Sequence, residues 1–130
     1  MEFSFIKESA LYVQDLDITE RFYAHIMQLP VISKVAHAHV FFRAGNSILL
    51  CFIAEHSKKK TAIPPHFGEG NLHFALECKE GDYAAWKQLI EKNGILIEKE
   101  VVWPTQKKSF YFRDPDNHSV EIAEKGIWGD

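Results

Sequence analysis

The feature that most limits what this chain can fold into is that it repeats itself. ESALYV at Glu8–Val13 returns as HFALEC at His73–Cys78, and VFFRAGNSILL at Val40–Leu50 returns as FYFRDPDNHSVEI at Phe110–Ile122. Self-similarity of this kind is topological information, because each unit buries its strands fully only against its copy. Any acceptable fold has to be built from two like halves.

Periodicity and punctuation give each half the order β-α-β-β-β. In the first, a strand at Glu8–Val13 leads to a helix capped by Asp15 or Asp17, running to Gln28 with Ile18, Phe22 and Ile26 on one face, and stopped by Pro30. Strands at Val31–Val35, Ala38–Arg43 and Ser47–Ala54 follow, the last two joined by a tight turn at Gly45-Asn46. Residues 55–70 read as an irregular, polar stretch punctuated by Pro64-Pro65, Gly68 and Gly70. The order then recurs. A strand at Leu72–Cys78 precedes a helix from Asp82 to about Lys92, with Tyr83, Trp86, Leu89 and Ile90 inward and Asn93-Gly94 ending it. Strands at Ile95–Trp103, Lys108–Arg113 and Ser119–Ala123 complete the half. The expected fold class is therefore α+β: two βαβββ modules, about residues 5–55 and 71–125, in a single domain 1–130. Together their two four-stranded sheets would form a curved eight-stranded mixed sheet around one concave cleft.

Charge removes some partners. With 15 basic against 18 acidic residues the formal charge is −3, without the positive field that nucleic acid or anionic lipid requires. The only basic run, Lys58–Lys60, reads as a solvated loop. A membrane span needs about 20 apolar residues, and the longest stretch here, Ile48–Ala54, falls far short. The opening MEFSFIKES also lacks the basic-then-apolar pattern of an export signal. Cys51 and Cys78 lie in apolar runs without CxxC spacing, so reduced core thiols and a cytoplasmic location are expected.

ESALYVQDLDITERFY, NLHFALEC and SFYFRDPDNHSVEIAE, together with the duplication, resemble the vicinal oxygen chelate superfamily, which includes glyoxalases, fosfomycin and bleomycin resistance proteins and extradiol dioxygenases. The resemblance covers nearly the whole chain. It implies a metal held by the first and last strands of each half, which places ligands at Glu8, His73 and Glu121. The fourth position falls on Leu49 when NSILL is laid over HSVEI, and leucine cannot ligate. One imidazole and two carboxylates leave coordination positions open, and such a set accepts Mn or Mg as well as Ni, Co, Fe or Zn. It departs from the two-His, one-carboxylate triad of iron oxygenases, so ring-cleaving dioxygenase chemistry is the least favoured outcome.

Each residue also has a plainer reading. His73 on pattern alone is a buried strand histidine with a hydrogen bond; Glu8 can face water; and Glu121, alternating with Val120 and Ile122, lies off the apolar face whether that points to a cleft or to solvent. Ser109 and Tyr111 share one strand face, and fosfomycin-modifying members carry a similar serine and tyrosine before their last glutamate, so both are substrate-binding candidates, with Tyr111 also a proton donor. Phe41 occupies the matching place in the first half, and alternation puts His39 and His37 on its face. His39 is a candidate general base against a surface-histidine alternative, and Glu8 or Glu121, if displaced from the metal, is another. His66 borders the cleft as part of a cover. Trp103 supplies an apolar wall to the substrate, and Trp128 is a second such candidate. The DPDNH turn is structural, and Arg43 and Arg113 are strand-end ion-pairing residues.

The resemblance thus implies a glyoxalase-type, divalent-metal-dependent enzyme acting as isomerase, lyase or fosfomycin-resistance-like transferase or hydrolase on a small oxygenated molecule. The competing reading is a non-catalytic bleomycin-type binding and resistance protein. A small-molecule substrate and a homodimer are the expected partners.

Overall fold

A computed structural model describes residues 1–130. It divides into two compact units, Met1–Gly70 and Asn71–Asp130. Each carries a four-stranded mixed sheet, eight strands in all, with few helices.

In the first unit β1 (Glu8–Tyr12) leads to a short helix α1 (Leu16–Glu20) that widens into π-helical turns over Arg21–Ile26. Asp15 is the cap, its carboxylate accepting from the Ile18 N–H at 2.9 Å, while Asp17 instead pairs with Lys34. The buried stripe is Leu16, Thr19, Phe22, Tyr23 and Met27, and Ile18, expected inward, is exposed. Then come β2 (Val31–Val35), β3 (His39–Ala44) and β4 (Ser47–Phe52), in the sheet order β1-β4-β3-β2. Gly45 takes the positive φ of 61° that the β3–β4 turn requires. The stretch expected to be irregular opens with one helical turn, α2 (Ala54–Ser57).

The second unit repeats the plan with β5 (His73–Glu77), α3 (Tyr83–Lys92), β6 (Lys99–Val102), β7 (Lys108–Arg113) and β8 (Ser119–Ala123), ordered β5-β8-β7-β6. The strand β6 is shorter than its apolar sequence suggested, beginning at Lys99 instead of Ile95. In both units the first strand runs parallel to the last and the remaining pairs are antiparallel.

One face of each sheet packs on its helix. There the buried side chains are Leu11, Val40, Phe42, Leu49 and Cys51 in the first unit, and Phe110, Phe112, Val120 and Ile122, with Ile90 of α3, in the second. Period-two alternation sends the intervening residues to the opposite face. Both cysteines are free and buried. No helix is long and apolar enough to cross a membrane.

Candidate functional site

Strand register shows which residues are equivalent between the units. Glu121 of β8 lies between Ala75 and Tyr111, and Leu50 of β4 lies between Ala10 and Phe41. Leu50 is therefore the counterpart of Glu121, which corrects the expected Leu49. Leu49 points into the helix-side core at 3% exposure. The slip arises at the turns: the β7–β8 connection is longer than Gly45-Asn46, so laying NSILL over HSVEI end to end shifts the register by one residue and reverses the face. By the same register Glu8 matches His73, Tyr12 matches Glu77, Phe52 matches Ala123 and His39 matches Ser109.

In the second unit the polar members of this face form a connected set. The Trp103 indole N–H donates to the Ser109 hydroxyl oxygen at 2.9 Å, and Ser109 is fully buried. Burial raises the pKa of the Tyr111 hydroxyl, which also hydrogen-bonds to Ser109, lowering that pKa, and to Glu121, raising it. Tyr111 thus keeps its proton at neutral pH. Its ring lies nearly parallel to that of His73, with centroids 6.0 Å apart.

His73 and Glu121 meet directly. The Ser119 carbonyl can only accept, so the His73 Nδ1–H donates to it at 3.0 Å, and Nε2 is left facing Glu121 Oε2 at 3.4 Å. A neutral imidazole in that tautomer sets a lone pair against a carboxylate. A proton or a metal cation between them removes the conflict. Anchoring the second ring nitrogen on a backbone carbonyl is how metal-binding imidazoles are commonly oriented. Two donors each about 2.1 Å from one tetrahedral ion lie about 3.4 Å apart. Glu121 is 5% exposed, and its Oε1 is buried without a hydrogen-bond partner. An orphaned buried carboxylate oxygen beside an oriented imidazole fits a divalent ion. Glu8, in the other unit, is exposed, and no group of three or more His, Cys, Asp or Glu side chains forms a metal cluster.

Sequence reasoning treated the DPDNH turn as structural without seeing what it positions. Asp114 Oδ1 accepts from the backbone N–H groups of Asp116 and His118, and the buried His118 Nδ1 accepts from the Leu72 N–H at 2.9 Å. Since Leu72 precedes His73, this buried imidazole fixes the start of β5 against β8 and so aligns His73 with Ser119. Arg113 is the strand-end ion-pairing residue expected, bonded to Glu98 at 2.7 Å.

The equivalent face of the first unit is aromatic. His39 stacks flat on Phe41, with centroids 3.8 Å apart and planes 9° from parallel, and Phe41 and Phe52 meet edge to face at 5.3 Å. The Tyr12 hydroxyl and His66 Nδ1 are hydrogen-bonded at 2.8 Å, and the His66 ring stands edge-on to Phe52 at 4.5 Å. His66 therefore does cover part of this face. Burial first, then the neighbouring Lys60 ammonium and the His56 side chain, lower the pKa of His39. His37, expected beside it, sits instead in the β2–β3 turn with φ of 63°, off the strand face. Trp103 lies 6.3 Å from Trp128 in the second unit.

Comparison with known proteins agrees with this architecture. The chain is 27% identical over 124 residues to a metallothiol transferase FosB of Staphylococcus epidermidis, covering 94% of this chain and 82% of that protein. It is 25% identical to a glutathione transferase FosA of Serratia marcescens, covering 86% and 74%. Among solved structures, a lactoylglutathione lyase from Agrobacterium tumefaciens superposes with a TM-score of 0.94 at 35% identity, over 100% of both chains. A model of the glyoxalase-like domain matches residues 6–125. With two βαβββ units, paired strand registers and this match over most of its length, the chain belongs to the glyoxalase-like domain family of the vicinal oxygen chelate superfamily.

Proposed function

We propose that this protein is a divalent-metal-dependent enzyme of the glyoxalase type acting on a small oxygenated molecule. One observation carries the proposal: a tautomer-fixed His73 Nε2 faces a buried Glu121 carboxylate at 3.4 Å, and the other carboxylate oxygen has no partner. His73 and Glu121 would be the ligands that the second unit supplies to the metal. A bound divalent ion there supplies Lewis-acid polarisation of a substrate oxygen.

The protein's own groups do the rest. Tyr111 holds a proton beside Glu121 and Ser109 and delivers it to a developing substrate oxyanion, while the Trp103 indole keeps the Ser109 hydroxyl oriented. His39, neutral at physiological pH, is the general base, and Phe41 is the ring against which substrate packs. The relatives' names contain thiol, glutathione and lactoylglutathione, so lyase turnover of lactoylglutathione and transfer of a thiol to a small electrophile are the first activities to assay. We also propose a cytoplasmic homodimer, to be checked by light scattering.

The decisive experiment is elemental analysis of protein purified without chelator, beside His73→Ala. Stoichiometric divalent metal in the wild type and its loss in the variant are expected. A wild type that neither carries metal nor takes up Mn²⁺, Ni²⁺, Zn²⁺ or Fe²⁺ would sink the enzyme reading and leave a binding module.

A further inference from the structure

The Lys58–Lys60 run does not behave as one solvated patch. Lys58 and Lys59 both pair with Glu55, and Lys58 also lies over the Phe67 ring. Lys60 has no carboxylate partner. Its ammonium sits 5.0 Å from the centroid of Phe52, whose ring is buried at 2% exposure. The chain after α2 folds back over the aromatic face: the His66 N–H reaches the Ser57 carbonyl at 3.3 Å, His66 bonds Tyr12, and Gly68 lies so close to Tyr12 that a Cβ there would meet the ring at 2.8 Å. This return holds Lys60 over the face instead of leaving it in solvent.

Beside it stands a second unsatisfied group. His39 uses Nε2 on the Ser33 hydroxyl at 3.0 Å, and its Nδ1 is buried with no partner. An unpaired ammonium and the half-buried rings of Phe41, Tyr12 and His66 thus share one surface, while Phe52 and the unpaired His39 nitrogen are buried. Aromatic faces attract the cation and the cation attracts anions, so this surface suits a molecule that offers both a negative group and a flat body.

We infer that the aromatic face of the first unit is a binding site for the carboxylate, or a like compact oxyanion, of a small molecule with a flat unsaturated or aromatic body, Lys60 taking the charge and the partly exposed Phe41 ring the body. This names a substrate class for the enzyme proposed above and rests on that reading only to that extent.

The test is isothermal titration calorimetry of the full-length, metal-supplemented protein with benzoate, benzamide and acetate. Saturable benzoate binding is expected, with acetate and benzamide each much weaker. Lys60→Gln should weaken benzoate by roughly tenfold, the order of one charge-assisted hydrogen bond, and Lys60→Arg should restore most of it. His73→Ala should leave it unchanged, which separates this site from carboxylate capture by a metal. Absence of benzoate binding, equal binding of benzamide, or loss in His73→Ala with retention in Lys60→Gln would each overturn the inference. Metal uptake without benzoate binding removes only this inference, and benzoate binding by a chain that takes up no metal removes only the enzyme reading.

Discussion

The two units share one topology and one strand register, yet the faces turned away from their helices have opposite chemistry. Where the second unit has His73, Ser109, Tyr111 and Glu121, the first has Glu8, His39, Phe41 and Leu50. One face carries a polar chain that ends in an orphaned carboxylate oxygen, and the other stacks rings around a neutral imidazole. The helix-side cores, by contrast, are apolar in both. Duplication preserved what each unit needs to fold and left free what its second face does, because period-two alternation uncouples the two faces of a strand.

The sharpest way to break the comparison is to exchange its central pair. Glu121→Leu, which copies Leu50, should reduce metal affinity by at least about 100-fold, more than loss of an outer-shell partner costs. In the metal-free protein it should hold or raise stability by about 1 to 3 kcal/mol, since a buried unsatisfied carboxylate oxygen disappears. Leu50→Glu should do the reverse to the first unit, costing about 1 to 3 kcal/mol beside Phe41 with no gain in metal. Calorimetric metal titration and urea unfolding of both variants check this. A stable Leu50→Glu chain that binds additional metal would show that the faces are interchangeable after all.

A smaller effect is expected at the cover. Gly68→Ala drives a methyl group into the Tyr12 ring, whose hydroxyl is tied to His66, and should cost about 1 to 3 kcal/mol through overpacking. Hydrogen exchange should report the loosening in residues 58–68 and not in the second unit. Uniform loss of protection across the chain would contradict an assignment confined to the first unit.

Smallest is the pH dependence, where the units should fail at opposite ends of the scale. Burial, Lys60 and His56 lower the pKa of His39 below its ordinary 6.5, so the unfolded chain protonates first and stability contributed there is lost as pH falls below 6.5. Tyr83, in α3, is raised above its ordinary 10.0 by burial and then by its hydrogen bond to Glu100, so stability contributed there is lost as pH climbs past 10.0. Thermal melts of His39→Gln and Tyr83→Phe should flatten the acid and alkaline limbs respectively. An unchanged acid limb in His39→Gln would remove His39 from the account.

Much of the molecule was legible beforehand, and the exceptions have identifiable causes. The repeat, the eight strands and the Ser109, Tyr111, Glu121 face follow from period-two patterning, which is local and strong. The Leu49 error came from turn length, because a one-residue slip inverts a strand and nothing in the apolar run NSILL opposes it. Ile18 misled because α1 is short and gives way to π-helical turns, which a strict 3.6 period does not anticipate. Carrying the alternation back to His37 fails because the strand starts only at His39. Lys60 could not be separated from Lys58 and Lys59 at all, since their difference lies in the positions of Glu55 and Phe52.

The sequence by itself determined the duplication, the βαβββ order, the family and the residue types on each strand face, since these depend on side-chain periodicity and short-range turn chemistry. Tertiary structure decided which nitrogen of His73 faces Glu121, that Glu121 Oε1 has no partner, that His118 fixes the start of β5 from 46 residues away, and that Lys60 lies over a ring. Each of these is a contact between distant segments or a choice of hydrogen-bond partner. Neither is encoded in the spacing of residues along the chain.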